Sequence, residues 1–304
     1  MIALPRWPED ELNKQRATAQ EMFRQERMQE PLEQYLEAFD EQQGHVEDLL
    51  ETTIDLSKLD DSALDVITNP KLIEAFRYLA GPPVSEDDLK VLSEAVLTAS
   101  RLRKNPDMVR RIIEVIKVGL DRRRFPWVAE NREPTEAERA AAVIASAALI
   151  ATSRTSTQRR NESKEKQETL VEEALIEAQL KKIPTRKVET LNLAPAPGEF
   201  CRESYLGMRK ADFIIGLYDH RVMAVECKVS NSSTNSIKRL NNDAAAKAEE
   251  WIREFGRAST VPTAVLSGVY KMKNLISAQE RGLTLFWAHD IAAMIQWIQS
   301  TRTA

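Results

Sequence analysis

The chain has 304 residues, of which 42% are hydrophobic and 30% charged, and its formal net charge is −4. These totals suit a soluble globular protein of one or two domains. The longest apolar run, AAAVIASAALIA at residues 140–151, is too short to span a bilayer, and no N-terminal stretch resembles a signal peptide. Two cysteines make no disulfide framework, so a cytoplasmic location is expected. The three histidines are too scattered for zinc-finger, HExxH or histidine-metal-finger motifs.

The charge is distributed unevenly along the chain. Residues 1–153 hold 20 lysines and arginines against 29 acidic residues, whereas residues 154–304 hold 23 against 18. A protein with an acidic overall balance can still bind nucleic acid if its basic groups cluster on one face. One basic cluster in the acidic half forms either solvated helix faces or a phosphate-contacting surface; its members are Arg101, Arg103, Lys104, Arg110, Arg111, Arg122, Arg123 and Arg124.

The first half of the chain is predicted to be helical almost throughout. Ser85 and Thr135 precede acidic residues and apolar residues at helical spacing, which is the pattern of N-cap positions. Residues 154–168, RTSTQRRNESKEKQE, are polar and predict a break, after which helical periodicity resumes. We therefore expect two domains: a helical N-terminal region over residues 1–153, for dimerisation or as a DNA clamp, and a second domain over residues 154–304.

The second half combines strands with helices. Strands are predicted over residues 186–193, 211–218, 222–230, 263–269 and 283–288, and helices over about 237–255, 274–281 and 290–299. The second and third strands are joined by Asp219-His220-Arg221, which is short enough for a hairpin. This order predicts an α/β fold in which a mixed sheet is flanked by helices.

Three charged side chains fall within the two strands of this predicted hairpin. Side chains alternate between the faces of a strand, so Glu226 and Lys228 share one face and Cys227 points to the other. If the strands pair, Asp212 near the start of one lies next to Glu226 and Lys228 near the end of the other. Two carboxylates repel unless a cation lies between them; oxygen ligands suit Mg²⁺, and a nearby lysine can orient an attacking water. A buried ion-pair cluster without chemistry is the alternative interpretation.

The pattern Asp212, then Glu226-Cys227-Lys228, on a hairpin after a helix and a strand resembles the PD-(D/E)XK nuclease fold, with Ala211 in place of the proline. The surrounding sequence is more specific. The segments PGEFCRESYLGMRKADFII, VMAVECKVSNSSTNSIKRLNNDAAAKAEEW, VPTAVLSGVYKMKNL and GLTLFWAHD resemble the XamI-like type II restriction endonucleases. The resemblance covers about residues 154–300, and it implies a restriction-endonuclease-like core with a helical extension before it.

The resemblance also implies roles for individual residues. Asp212 and Glu226 would ligate Mg²⁺, with the backbone carbonyl of Cys227 as a further ligand. Lys228 would position or activate the attacking water.

Nuclease folds of this type often add a glutamate from the helix that precedes the sheet. Glu168 is the favoured candidate here and Glu172 the alternative. For either residue, a solvated helix face is the interpretation without function.

The polar loop SNSSTNSIKR follows the second hairpin strand. Asn can pair bidentately with adenine, and Arg or Lys with guanine; a capped helix N-terminus also favours phosphate. Alternatively, the loop only caps the next helix through Asn235 or Ser236. The candidate DNA contacts in the loop are Asn231, Ser232, Asn235, Ser236, Lys238 and Arg239, and the candidates before the hairpin are Arg202 and Glu203.

These observations predict a Mg²⁺-dependent type II restriction endonuclease that cleaves both strands of a short, specific DNA duplex. A palindromic site is best matched by a homodimer with one active site per strand. The resemblance suggests a GTCGAC-type target and a cognate DNA methyltransferase as cellular partner. Two alternatives stay open: a repair or recombination nuclease without sequence preference, and a DNA-binding or scaffolding protein in which the charged trio is structural.

Overall fold

The structure, a computed structural model of the chain, describes residues 2–28 and 32–303. The chain divides into two compact units. The helical unit comprises residues 31–158, and the sheet unit comprises residues 1–30 and 159–304. This division falls close to the expected boundary after residue 153, but the N-terminal segment belongs to the sheet unit and not to the helical one.

The helical unit is built around an apolar core to which most of its helices contribute. The predicted caps are confirmed. The side chain of Ser85 caps the helix that begins at Glu86, and Thr135 exchanges hydrogen bonds with Glu138 in the helix that begins at Glu136. Its helices are α2 (Leu32–Thr52), α3 (Ala63–Thr68), α4 (Leu72–Arg77), α5 (Glu86–Ser93), α6 (Ala99–Leu102), α7 (Pro106–Gly119), α8 (Pro126–Glu130) and the first part of α9 (Glu136–Glu177).

Helix α9 continues without interruption through residues 154–168, so the predicted break is wrong. The segment contains neither proline nor glycine, and its glutamine, arginine, glutamate and lysine residues are good helix formers. The Thr155 hydroxyl donates a hydrogen bond at 2.8 Å to the carbonyl of Ala151, four residues earlier in the same helix, so this polar side chain is satisfied without a break in the helix. In the described part of the chain, no helix has the length and apolarity needed to cross a membrane.

The sheet has six strands in the order β1-β2-β3-β4-β5-β6. Strands β2, β3 and β4 are antiparallel neighbours, whereas β5 and β6 continue parallel to β4, and β1 is parallel to β2. This mixed sheet confirms the predicted α/β class. The strands are β1 (Lys181–Lys182), β2 (Glu199–Leu206), β3 (Arg209–Gly216), β4 (Val222–Ser230), β5 (Thr260–Gly268) and β6 (Thr284–Trp287).

The predicted strand over residues 186–193 is wrong. Within it, Val188 makes an isolated bridge to Leu206, and residues 191–193 form a 3₁₀ turn. The strand beside β3 is instead β2, which the sequence did not reveal because its Glu199, Arg202 and Glu203 interrupt the apolar pattern.

Helices cover both faces of the sheet. On one face, α9 and α12 (Ile291–Ser300) bury Val171, Leu175 and Trp297 against the strands. On the other face lie α1 (Glu9–Met28), α10 (Ala245–Phe255) and α11 (Met272–Glu280). A π-helix, Ile237–Ala244, leads directly into α10. Strand β4 is buried on both sides, which explains its apolar sequence and makes Glu226 and Lys228 exceptional within it.

The N-terminal segment is tied to the sheet unit by specific contacts. The indole N–H of Trp7 donates to the carbonyl of Leu285 at 2.6 Å, and Leu12 and Ala19 of α1 are buried against the α11 side of the sheet. These contacts explain why the segment departs from the expected N-terminal region.

Candidate active site

Asp212, Glu226 and Lys228 meet where the pairing of β3 with β4 ends, although β4 stays paired with β5 up to Ser230. The register pairs Phe213 with Val225, which places Asp212 opposite Glu226 one step further along. The Lys228 Nζ atom lies 2.6 Å from Glu226 Oε2. The structure thus brings together the three charged residues of the predicted hairpin.

The backbone ladder opens at Asp212. Phe213 pairs with both neighbouring strands, but Asp212 pairs with neither of them, and Glu203, which faces it on β2, has a φ of +49°. The Asp212 carboxylate instead accepts a hydrogen bond from the backbone amide of Cys227 at 2.7 Å. A non-glycine residue in the left-handed region is the kind of local strain that collects at functional sites.

Glu226 and Lys228 are almost fully buried, with exposed fractions of 1% and 7%. Burial raises the pKa of Glu226; the neighbouring charge of Lys228 opposes this rise, and the charge of Asp212 adds to it. Burial alone would lower the pKa of Lys228, but the carboxylates of Glu226 and Asp243 outweigh burial and raise it. Lys228 is therefore held as an ammonium group at neutral pH.

Asp243 and Lys247 complete the charged cluster around Glu226. Asp243 Oδ2 lies 2.7 Å from Lys228 Nζ, and Lys247 Nζ donates to the two carboxylate oxygens of Glu226 at 2.9 and 2.8 Å. Asp243 belongs to the π-helix, a rare element that is frequent at functional sites, and Lys247 follows in α10. We call Glu226, Lys228, Asp243 and Lys247 the Glu226 cluster. Sequence reasoning missed Asp243 and Lys247, although their i, i+4 spacing is a detectable ion-pair signal.

A second group of charges links α9 to the same end of the sheet. Arg202 on β2 donates to Glu168 Oε2 at 2.8 Å and also bonds to Glu172. Lys164 Nζ lies 3.1 Å from Glu168 Oε1 and 4.0 Å from Asp212 Oδ1. Glu168 and Asp212 therefore share a lysine neighbour, and of the two candidate glutamates Glu168 is the one with this link to Asp212.

The donor chemistry at this end of β4 fits Mg²⁺. Burial raises the pKa of the Cys227 thiol, the charges of Asp212, Glu168 and Glu226 raise it further, and the charge of Lys228 lowers it. Carboxylate oxygens are the ligands that Mg²⁺ prefers. Across residues 2–28 and 32–303, no three His, Cys, Asp or Glu side chains stand grouped as a metal centre, and Lys228 and Lys247 take up the oxygens of Glu226. The residues that would hold the ion are Asp212 and Glu226, whose carboxylates are of the kind that Mg²⁺ prefers.

The polar loop after β4 lies beside the Glu226 cluster. The alternative interpretation, a helix cap by Asn235 or Ser236, is wrong, because neither side chain caps the helix; the hydroxyl of Ser232 accepts a hydrogen bond from the amide of Asn235 at 3.2 Å. Five of the predicted contacts have exposed or partly exposed side chains and stay candidates; they are Asn231, Ser232, Asn235, Lys238 and Arg239.

Two other predicted DNA contacts are engaged inside the protein. Ser236 is fully buried; its hydroxyl donates to the carbonyl of Ser233 at 2.6 Å and accepts from Asn274 at 2.8 Å, so it has no surface for DNA. The guanidinium group of Arg202 forms ion pairs with Glu168 and Glu172 of α9. Glu203 is exposed and pairs with Lys210 at 3.1 Å.

The basic cluster of the helical unit separates into structural and exposed members. Arg124 donates to Asp121, to Ser146 and to the carbonyl of Ala80, and Arg111 donates to the carbonyls of Ser93 and Glu94. These two arginines join parts of the fold, and Arg110 pairs with Asp107. The remaining exposed members are Arg101, Arg103, Lys104, Arg122 and Arg123.

Comparison with known proteins identifies the enzyme class. The family description of the XamI restriction endonuclease matches residues 57–287. The type II restriction enzyme XamI of Xanthomonas campestris pv. amaranthicola is 43% identical over 270 residues, which cover 86% of this chain and 96% of that enzyme. No solved structure matches the chain. Both matches point to one class of enzyme, the site-specific restriction endonucleases. Within that class, the chain belongs to the XamI restriction endonuclease family.

The contacts of Arg202 predict that it stabilises the fold. Because Arg202→Met leaves Glu168 and Glu172 without this partner, we expect the free energy of unfolding to fall by about 1–3 kcal/mol. The exposed Lys238→Met should change it by less than about 0.5 kcal/mol. Urea denaturation measures both variants. Equal stability of the two variants, with weaker DNA binding by Arg202→Met, would instead support the original assignment of Arg202 to DNA.

Proposed function

We propose that the chain is a Mg²⁺-dependent type II restriction endonuclease with a PD-(D/E)XK core, which hydrolyses both strands of DNA at a short palindromic sequence. The observation that carries the proposal is the meeting of Asp212, Glu226 and Lys228 where the ladder of β3 opens. The preceding helix and the antiparallel strands that bear these residues agree with the arrangement that the PD-(D/E)XK resemblance implies. Family membership supports the same reaction class.

The side chains of the site have separate tasks in the proposed reaction. Water attacks phosphorus in line, and the bond to the 3′ oxygen breaks, leaving 5′-phosphate and 3′-hydroxyl ends. A Mg²⁺ ion held by Asp212 and Glu226, with the carbonyl of Cys227 as a further ligand, would stabilise negative charge on the phosphate. Lys228 is fixed between two carboxylates, so its N–H groups can orient the water.

Glu168 completes the proposed site from α9. Its carboxylate contributes to the negative potential at Cys227, and Lys164 and Arg202 hold it in place. Glu168 thus stands on the Asp212 side of the proposed site, through their shared neighbour Lys164. The burial of the Cys227 thiol, which raises its pKa, keeps it protonated and leaves it no role as a nucleophile.

The loop after β4 is proposed to read the DNA. It follows the catalytic strand directly, and its accessible side chains combine asparagine, suited to adenine, with lysine and arginine, suited to guanine or phosphate. A palindromic target, GTCGAC-like as the family resemblance suggests, calls for a homodimer with one site per strand. A cognate DNA methyltransferase is the corresponding partner in the cell.

Cleavage of a large unmethylated duplex tests the catalytic assignment. With Mg²⁺ the native chain should give discrete fragments. Asp212→Asn, Glu226→Gln and Lys228→Met should each lower the rate at least about 10²-fold, because the first two remove a proposed metal ligand and the third removes the group that orients the water. Glu250→Gln on α10 is the matched control, since Glu250 pairs with Arg209 outside the Glu226 cluster.

The fragment pattern separates the alternatives. Sequencing the fragment ends gives the recognition sequence. A smear would favour a nuclease without sequence preference. Absence of cleavage by the native chain, with variants that are only less stable, would show that the charged residues are structural.

Binding measurements on the inactive Lys228→Met background test the recognition loop. Asn235→Ala should weaken binding to the target more than binding to other DNA, by about 1–3 kcal/mol if Asn235 pairs with a base. Lys238→Ala should weaken binding to the target and binding to other DNA equally. It should also lower the slope of log affinity against log salt concentration by about one. Lys187→Ala is the control, because Lys187 is exposed and pairs with Glu189. If the loop variants behave like Lys187→Ala, the loop does not contact DNA.

A further inference from the structure

Both oxygens of the Glu226 carboxylate are occupied by ammonium groups. Lys247 Nζ donates to Oε1 at 2.9 Å and to Oε2 at 2.8 Å, and Lys228 Nζ donates to Oε2 at 2.6 Å. Glu226 is 1% exposed, so these two lysines replace the water that would otherwise solvate the charge. A divalent cation that binds Glu226 must compete with at least one of them.

We propose that Lys247 is a resident counter-ion of Glu226 which the divalent cation displaces, and that Asp243 receives the displaced ammonium group. This inference rests on the proposed function, in which Glu226 is a metal ligand. It assigns Lys247 and Asp243 as positioning residues that set the metal affinity of the site.

Lys247 is the lysine better placed to leave. Lys228 is held by Glu226 and Asp243 at 2.6 and 2.7 Å, and its side chain is 8% exposed. The Lys247 side chain is 20% exposed and projects from α10, beyond the end of the π-helix. Two ammonium groups and a divalent ion on one carboxylate repel each other, so departure of the more accessible lysine relieves this repulsion.

Asp243 is already within reach of the displaced group. Its Oδ1 lies 3.9 Å from Lys247 Nζ, while its Oδ2 bonds to Lys228. The two residues are four apart on a continuous helical segment, so a small side-chain rotation completes their ion pair. Lys247 Nζ also donates to the carbonyl of Lys210 at 2.9 Å, which limits how far it moves.

The proposal predicts opposite effects of two substitutions on metal affinity. Lys247→Met removes the competitor, so the DNA-free protein should bind a divalent cation about tenfold more tightly, equivalent to ~1.4 kcal/mol. Asp243→Asn removes the acceptor, and both lysines then depend on Glu226, so binding should weaken by a similar factor. Loss of any nearby positive charge tightens cation binding, and loss of any nearby negative charge weakens it. The effects of Lys247→Met and Asp243→Asn must therefore exceed those of Lys210→Met and Glu250→Gln, which change the same charges outside the Glu226 cluster.

Mn²⁺ binding to the full-length, DNA-free chain tests these predictions, with the electron paramagnetic resonance signal of the free ion as the readout. Mn²⁺ takes the same oxygen ligands as Mg²⁺. The series comprises the native chain, Lys247→Met and Asp243→Asn, with Lys210→Met and Glu250→Gln as controls. The control substitutions each remove one nearby charge, but Lys210 pairs with Glu203 and Glu250 with Arg209, and neither pairs with Glu226. Asp212→Asn reports whether the bound ion occupies the proposed site.

The outcomes distinguish this inference from the proposed function. Tighter binding by Lys247→Met alone and weaker binding by Asp243→Asn support the displacement. If Asp212→Asn abolishes binding but Lys247→Met binds no more tightly than the native chain or Lys210→Met, the metal site stands and the displacement is wrong. If Asp212→Asn binds Mn²⁺ as the native chain does, or no variant binds it, the site assignment fails and the displacement fails with it.

Discussion

Glu226 is 1% exposed in the middle of β4, and the arrangement of the charged residues around it follows from its need for positive charge. Lys228 from the same strand and Lys247 from α10 both bond to it, and Asp243 in turn pairs with Lys228. A buried carboxylate without such partners would cost several kcal/mol. The same charge therefore fixes the end of β4, the π-helix and α10 with respect to one another.

The proposed function also depends on the opening of the ladder at Asp212. The backbone of Asp212 pairs with neither β2 nor β4. The Asp212 carboxylate instead accepts a hydrogen bond from the backbone amide of Cys227. Arg202 and Glu168 join β2 to α9 next to this opening. Lys164 lies between Glu168 and Asp212, and in the proposed function a divalent cation would bind between the carboxylates of Asp212 and Glu226.

Sequence alternation was sufficient to place Asp212, Glu226 and Lys228 together, because the two-residue period of a strand decides which side chains share a face. Strand β2 was not predicted because its charged residues interrupt the apolar pattern of a strand. One of them, Arg202, forms the ion pair with α9. Asp243 and Lys247 were missed because their contacts with Glu226 depend on how the π-helix and α10 pack on the sheet. The break predicted at residues 154–168 was wrong because polar composition alone does not distinguish an exposed part of a helix, here α9, from a linker.

Fe²⁺-mediated cleavage of the protein backbone tests the metal assignment most directly. When Fe²⁺ replaces Mg²⁺ in the presence of ascorbate and oxygen, radicals formed at the ion cut the chain near its ligands. Our account predicts cuts close to Asp212 and to Glu226, which Mg²⁺ suppresses and Asp212→Asn abolishes. Cuts confined to other parts of the chain, or cuts unchanged in Asp212→Asn, would contradict the assignment of this end of the sheet as the metal-binding active site.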